Sequence, residues 1–206
     1  GVMDDGEVLL QGWDMTLSDV TKTTNKNGLA KFGKLMPGTY TVCETPQAGW
    51  MATDPADGLC KEVVVDDWGQ TVKVYFGNAP VGSITIVKDA YPAYGTFRFT
   101  GDLGDFKLKG KTNNGEHTIT FDDLHMGSYT VSEKAKEDWM LKDIVCEGGQ
   151  VEIAGSAATM LLGEPGQHIT CTFVNREYGG IKVVKYKDAN ENGAYDDHEK
   201  WMSGWE

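Results

Sequence analysis

The segment Ile181–Glu206, IKVVKYKDANENGAYDDHEKWMSGWE, repeats the start of its own chain. With Gly193 set under Gly1, GAYDDHEKWMSGWE lies beneath GVMDDGEVLLQGWD at an offset of 192, matching in glycine, the Asp-Asp pair, glutamate, Gly-Trp and a final acid. Self-similarity at a fixed spacing is the mark of an array of structural units. The chain therefore reads as a little more than one period of a longer repeat.

A weaker repeat lies inside the first. GSITIVKDA (82–90) aligns with GGIKVVKYKDA (179–189) at an offset of 97, and LMPGTYTVCE (35–44) aligns with LHMGSYTVSE (124–133) at 89. VYFGN (74–78) aligns with CTFVN (171–175), again at 97. Between these anchors run short Val/Ile/Thr/Tyr segments broken by Gly, Asn and Asp, and helix signals are almost absent. The fold class is all-β, with each unit of roughly 95 residues forming a β-sandwich of about seven strands.

Three segments follow: a module A at 1–80 that lacks its first strand, a module B at 81–177, and at 178–206 the first strand and following loop of the next A. Strands are predicted in module A near Gly12–Leu17, Leu29–Lys34, Tyr40–Glu44, Cys60–Val65 and Thr71–Phe76. In module B they are predicted near Ser83–Lys88, Thr96–Thr100, Asp105–Leu108, His117–Phe121, Tyr129–Glu133, Ile144–Val145, Ala158–Leu162 and Ile169–Val174. Asn113-Asn114-Gly115 and Glu164-Pro165-Gly166 are clear turn signals. The absent first strand of module A would leave an open sheet edge. Residues preceding Gly1 in a continuous array would fill it, or Ile181–Asn192 of a neighbour would add a strand there.

The 206 residues carry a net charge of −12 with no basic cluster, which argues against a nucleic-acid partner, since phosphate binding needs Lys and Arg grouped on one face. No apolar run approaches the roughly 20 residues of a membrane span. No signal peptide is visible, and because Gly1 falls inside a motif this says nothing about export. Cys43, Cys60, Cys146 and Cys171 allow three pairings. The module boundaries favour Cys43–Cys60 and Cys146–Cys171, which implies an oxidising, extracellular or cell-surface location; four buried thiols are the alternative.

Two constellations stand out. Lys88, Glu133 and Asn175 each end an anchor strand. Singly they read as solvated strand ends, whereas facing a dry core they would be costly unless paired. The second constellation, DANENGAYDDHE at 188–199, fits D-x-[DN]-x-[DN]-G-x5-E throughout. Oxygen ligands for calcium would come from Asp188, Asn190, Asn192, the Ala194 carbonyl, Asp196 and Glu199, with Gly193 making the turn. Asp4 and Glu7 match Asp196 and Glu199 and form a partial first site. A polar turn without metal is the plain alternative.

His117, His125, His168 and His198 lack ligand spacing and read as surface residues, and no nucleophile motif or phosphate loop occurs. Trp50 and Trp139 recur at an offset of 89, and Trp13 and Trp205 at 192, which points to packing rather than to a sugar platform.

The segments KDA, GSYTVSE with Trp139 after it, and CTFVN resemble the prealbumin-like, immunoglobulin-like B-type domains of Gram-positive surface adhesins and pilins, the Cna-B and SpaA families. The resemblance implies an intramolecular isopeptide bond between Lys88 and Asn175, assisted by Glu133. In module A the matching residues are Glu44 and Asn78, and their lysine would be the counterpart of Lys185. Lys185 itself would bond to residues beyond Glu206, or to Asn78 of another chain if subunits exchange strands. The loop at 188–199 is similar to the calcium-binding B repeats of Sdr-type adhesins, which implies calcium as the cofactor.

The expected function is that of a non-enzymatic structural repeat of a secreted fibre or cell-surface stalk, its partners being neighbouring copies. The rival is an adhesin domain whose Trp68, Trp201 or Tyr-rich loops grip a host protein or glycan.

Overall fold

The computed structural model describes residues 6–92, 94–110 and 116–204. Asp4, Trp205 and the Asn113-Asn114-Gly115 turn lie outside them. Among the described residues there is no helix. The elements are β1 (Asp14–Leu17), β2 (Val20–Thr23), β3 (Gly38–Glu44), β4 (Trp50–Asp54), β5 (Cys60–Val65), β6 (Gly77–Tyr91), β7 (Thr96–Gly101), β8 (Phe106–Lys109), β9 (Thr118–His125), β10 (Gly127–Glu133), β11 (Trp139–Glu147), β12 (Gln150–Ala154), β13 (Ala157–Leu162) and β14 (His168–Glu177).

The second unit is a sandwich of two sheets. One runs β12-β13-β10-β7-β8, and the other runs β11-β14-β6-β4 with β9 added beside β6. Period-two alternation explains the core: Ile84, Ile86, Lys88 and Ala90 of β6 all turn inward and are at most 1% exposed. They meet Phe97, Phe99, Val131, Met160, Leu162 and Phe173, a core dominated by aromatic and branched side chains. The strands that open and close this unit, β6 and β14, pair in parallel from Ser83↔His168 to Tyr91↔Arg176.

The first unit is smaller. Its sheet is ordered β2-β1-β3-β5, and its core is Trp13, Met15, Leu17 and Val42 with Phe32, Tyr40, Trp50, Val74 and Phe76 packed against them. β6 passes through the 80/81 boundary. Its first residues, Gly77 to Pro80, pair with β4, and the remainder pairs with β14 and β9. At this junction the Val81 amide donates to the Gly49 carbonyl and the Gly166 amide donates to the Val81 carbonyl, each at 2.8 Å. A Cβ on Gly49 would stand 2.2 Å from the Gly166 nitrogen, so only glycine permits the approach.

Two expected strands of the first unit, Leu29–Lys34 and Thr71–Phe76, are not strands. Their counterparts in the second unit, β9 and the first part of β14, both pair with β6, and among the described residues nothing takes that place in the first unit. A segment without a neighbour has no ladder to join. Conversely β2, β4 and β12 are strands that the sequence reading omitted. β2 is exposed along its whole length and β4 is uniformly half-buried, so neither presents an apolar/polar alternation. The tail is also not a strand over 179–185; among the described residues its one pairing is the isolated bridge Tyr186↔Trp201.

Candidate functional site

Lys88, Glu133 and Asn175 meet inside the second unit. β6 brings in Lys88 and its parallel neighbour β14 brings in Asn175, while Glu133 reaches across from β10 in the opposite sheet. All three are buried, at 1%, 3% and 2% exposure. Lys88 Nζ donates to Asn175 Oδ1 at 2.6 Å and to the Phe173 carbonyl at 2.6 Å, and it lies 3.3 Å from Glu133 Oε2. Asn175 Nδ2 donates to Glu133 Oε1 at 2.6 Å. The carboxamide is thus held by its oxygen to the amine and by its nitrogen to the carboxyl group.

Burial dominates the electrostatics, because removing an ion from water costs several kcal/mol. It pulls Lys88 down to about 8, against the pull of Glu133 in the other direction. It also pushes Glu133 above the usual carboxylate range, opposed by Lys88 and by the hydrogen bond from Asn175. Both shifts favour the uncharged pair, a nucleophilic amine beside a protonated acid. Phe97, absent from the sequence reading, lies 4.4 Å beneath Nζ and closes the site on one side. Its ring stands edge-on to Trp139.

The first unit holds the same arrangement without the amine. Asn78 Nδ2 donates to Glu44 Oε2 at 2.8 Å, and Glu44 is 4% exposed. Burial raises the Glu44 carboxyl, with Asn78, Lys61 and Trp13 opposing. Trp13 crosses Trp50 edge-on at 5.4 Å as Phe97 crosses Trp139 at 5.1 Å. The register confirms the match, since Met15↔Glu44 pair as Phe99↔Glu133 do. Lys185 lies in the exposed tail.

The loop after Lys187 is drawn together by its own side chains. Asp188 accepts from the Asn192 and Gly193 amides at 3.2 and 2.7 Å. Asn190 and Asn192 both donate to Asp196 Oδ2 at 2.8 Å, and Glu199 accepts from Ala189 at 2.7 Å and from Asp196 at 3.2 Å. Among the described residues no three acidic, His or Cys side chains group as a metal site by themselves, so a cation here also needs the amide oxygens. Glu199 is buried, unlike the remaining donors, and Glu7 of the partial site is exposed. Cys43–Cys60 and Cys146–Cys171 are both disulfides, each between directly opposed residues of neighbouring strands. His125, His168 and His198 are exposed, whereas His117, expected at the surface, is half-buried.

The second unit is thus an all-β sandwich of two sheets that encloses a buried Lys–Glu–Asn cluster. Residues 84–177 match the model of a family described as SpaA_4, prealbumin-like fold domain. No curated protein matches the chain. Among solved structures, it is similar to the TIE protein of Bacillus anthracis at 20% identity and a TM-score of 0.38, covering 88% of this chain and 36% of that one. It is also similar to GBS52, the minor pilin of Streptococcus agalactiae, at 14% identity and a TM-score of 0.31, covering 88% and 90%. The major pilin T-13 of Streptococcus pyogenes gives 15% identity and a TM-score of 0.35, covering 86% and 94%. The chain spans about a third of the length of the first of these.

Proposed function

We propose that this chain is a non-enzymatic structural repeat of an extracellular fibre or cell-surface stalk, its second unit closed by an amide between Lys88 and Asn175. The observation that carries the reading is the Asn175 carboxamide held between Lys88 Nζ and Glu133, each 2.6 Å away, in a site without water access. The neutral amine attacks Asn175 Cγ while Glu133 donates its proton to the carboxamide. The Cγ–Nδ2 bond then breaks, the amine proton returns through Glu133, and ammonia leaves. Nothing is consumed but the two side chains, so the chemistry runs once and produces architecture rather than turnover.

Calcium fits the second part of this reading. Asp188, Asn190, Asn192, Asp196 and Glu199 already converge, and the Ala194 carbonyl lies among them in sequence. A bound cation would supply charge neutralisation, replacing the amide-to-Asp196 bonds with oxygens turned inward. The two disulfides suit an oxidising exterior. For the adhesin alternative, Trp68 and Trp201 are exposed at 71% and 67%, but they sit on separate segments, the 66–69 turn and the tail.

The test is the intact mass of the folded protein. One ammonia fewer than the sequence requires, restored in Asn175→Ala, is the expected result. A full-length mass that accounts for every atom overturns the cross-link.

A further inference from the structure

Three cations of the second unit meet on the outer face of the β7–β8 hairpin. Arg98 of β7 lies directly opposite Lys107 of β8, and the Lys134 amide donates to the Arg98 carbonyl at 2.8 Å, which brings the residue after β10 to the same place. All three are exposed, and with Thr100 and Asp105 they line a groove of about 290 Å³. They come from separate segments of the chain, so no basic run marks them in the sequence.

Among the described residues the ion pairs are Lys61–Asp54, Lys88–Glu133, Lys109–Glu116 and Arg176–Asp89, and the trio belongs to none of them. Acids outnumber bases 31 to 19 in this chain, so three cations together without a carboxylate partner are out of character with the rest of its surface. Like charges directly opposite on neighbouring strands also destabilise a sheet. Lysines protect an edge strand from pairing, which accounts for Lys107 and Lys109 on β8. That reason does not reach Arg98, whose strand lies between β10 and β8, or Lys134, which stands beyond the end of β10.

The first unit supplies the comparison. Asp14 stands opposite Thr23 as Arg98 stands opposite Lys107, and the Thr45 amide donates to the Asp14 carbonyl at 2.9 Å as the Lys134 amide does to Arg98. The adjoining pairs match as well, Met15↔Glu44 with Phe99↔Glu133. In the first unit the position is closed by its own hydrogen bond, from Thr23 Oγ1 to Asp14 Oδ1 at 2.6 Å. The same backbone therefore accepts a self-satisfied Asp–Thr pair, and the fold does not require the cations. A local rule broken without structural need points to a ligand.

We propose that the Arg98–Lys107–Lys134 groove is a docking site for a short acidic peptide segment of a partner protein. The guanidinium fork of Arg98 takes one carboxylate bidentately, and the two ammonium groups take its neighbours. Asp105 on the rim accepts from the peptide's own N–H groups, donors that a phosphate polymer cannot offer. The net charge of −12 repels a long polyanion, whereas a short segment meets only the local positive field. An open groove of this size suits a few side chains rather than a compact organic ligand.

Fluorescence anisotropy of a labelled GGDEDEGG peptide, titrated with the full chain at low salt, tests the site. Saturable binding that weakens as salt rises is expected, with none for GGNQNQGG. Giving the hairpin the first unit's pair, Arg98→Asp with Lys107→Thr, should weaken binding by at least about tenfold while the urea midpoint stays level or rises, because a repulsion is relieved. Arg98→Lys keeps the charge without the fork and should weaken binding by a smaller factor. Lys109→Gln, outside the groove and paired with Glu116, should change it by less than about twofold. No binding of GGDEDEGG, equal binding of GGNQNQGG, or undiminished binding by the exchanged chain overturns the proposal. So does a lowered midpoint in the exchanged chain, which would make the trio structural. Polyphosphate that binds more tightly than the acidic peptide overturns the peptide as occupant.

Discussion

Asn78 donates to Glu44 in the first unit with the same sense as Asn175 donates to Glu133 in the second, at 2.8 and 2.6 Å. The carboxyl group therefore holds the carboxamide by its nitrogen with a lysine beside the pair, as in the second unit, and equally without one, as in the first.

Glu133→Gln keeps the shape of the site and removes the transferable proton. Amide formation in the second unit is expected to slow by about two to four orders of magnitude. Mass spectrometry at intervals after refolding from denaturant measures it.

The reactive state has Lys88 neutral and Glu133 protonated, so the rate should be bell-shaped in pH. The alkaline limb falls near pH 8, where Lys88 titrates, and the acid limb falls at the raised value of Glu133. Unreacted Lys88 titrates at about 8 when folded against 10.5 when unfolded, and Asn175→Ala is the variant that keeps the amine from reacting. The unfolded state then binds more protons between these values, and stability should rise with pH across that window. Denaturant midpoints from pH 7 to 11 check the sign.

Cys146–Cys171 closes a separation of 25 residues within the second unit. Replacing both cysteines by alanine is expected to cost about 3 kcal/mol, by the loss of loop closure in the unfolded chain. Urea unfolding reads the difference. It should shrink in protein that already carries the Lys88–Asn175 amide, because the second tie constrains an overlapping loop.

Calcium should slow proteolysis between Tyr186 and Trp201, and Glu199→Ala should cancel that protection while leaving the melting of the second unit unchanged. Limited digestion with and without chelator decides it. Equal cleavage in both would leave the loop as a polar turn.

The three residues of the candidate site were legible because each ends an anchor segment that recurs; singly they read as solvated strand ends, and only the family resemblance joined them. The disulfides were legible from the unit boundaries. Other features carry no local signal. Phe97 and Trp13 occupy matching positions but differ in residue type, so the repeat does not show them. β2 and β12 are too exposed for an apolar pattern, and β4 is held by pairing with β6 rather than by alternation. The contact of Gly49 with Gly166 is backbone on backbone across distant parts of the chain, which no periodicity records. The failed strands at 29–34 and 71–76 teach the converse. Alternation sets which side chains turn inward, whereas a strand also needs a partner.

Because β6 and β14 run in the same direction over nine registered pairs, tension applied at the start of one and the end of the other loads those pairs in shear, all at once. Peeling would break them singly. A unit threaded this way yields late and abruptly, and with β6 also stitched to β4, a tug on either unit is felt by the other.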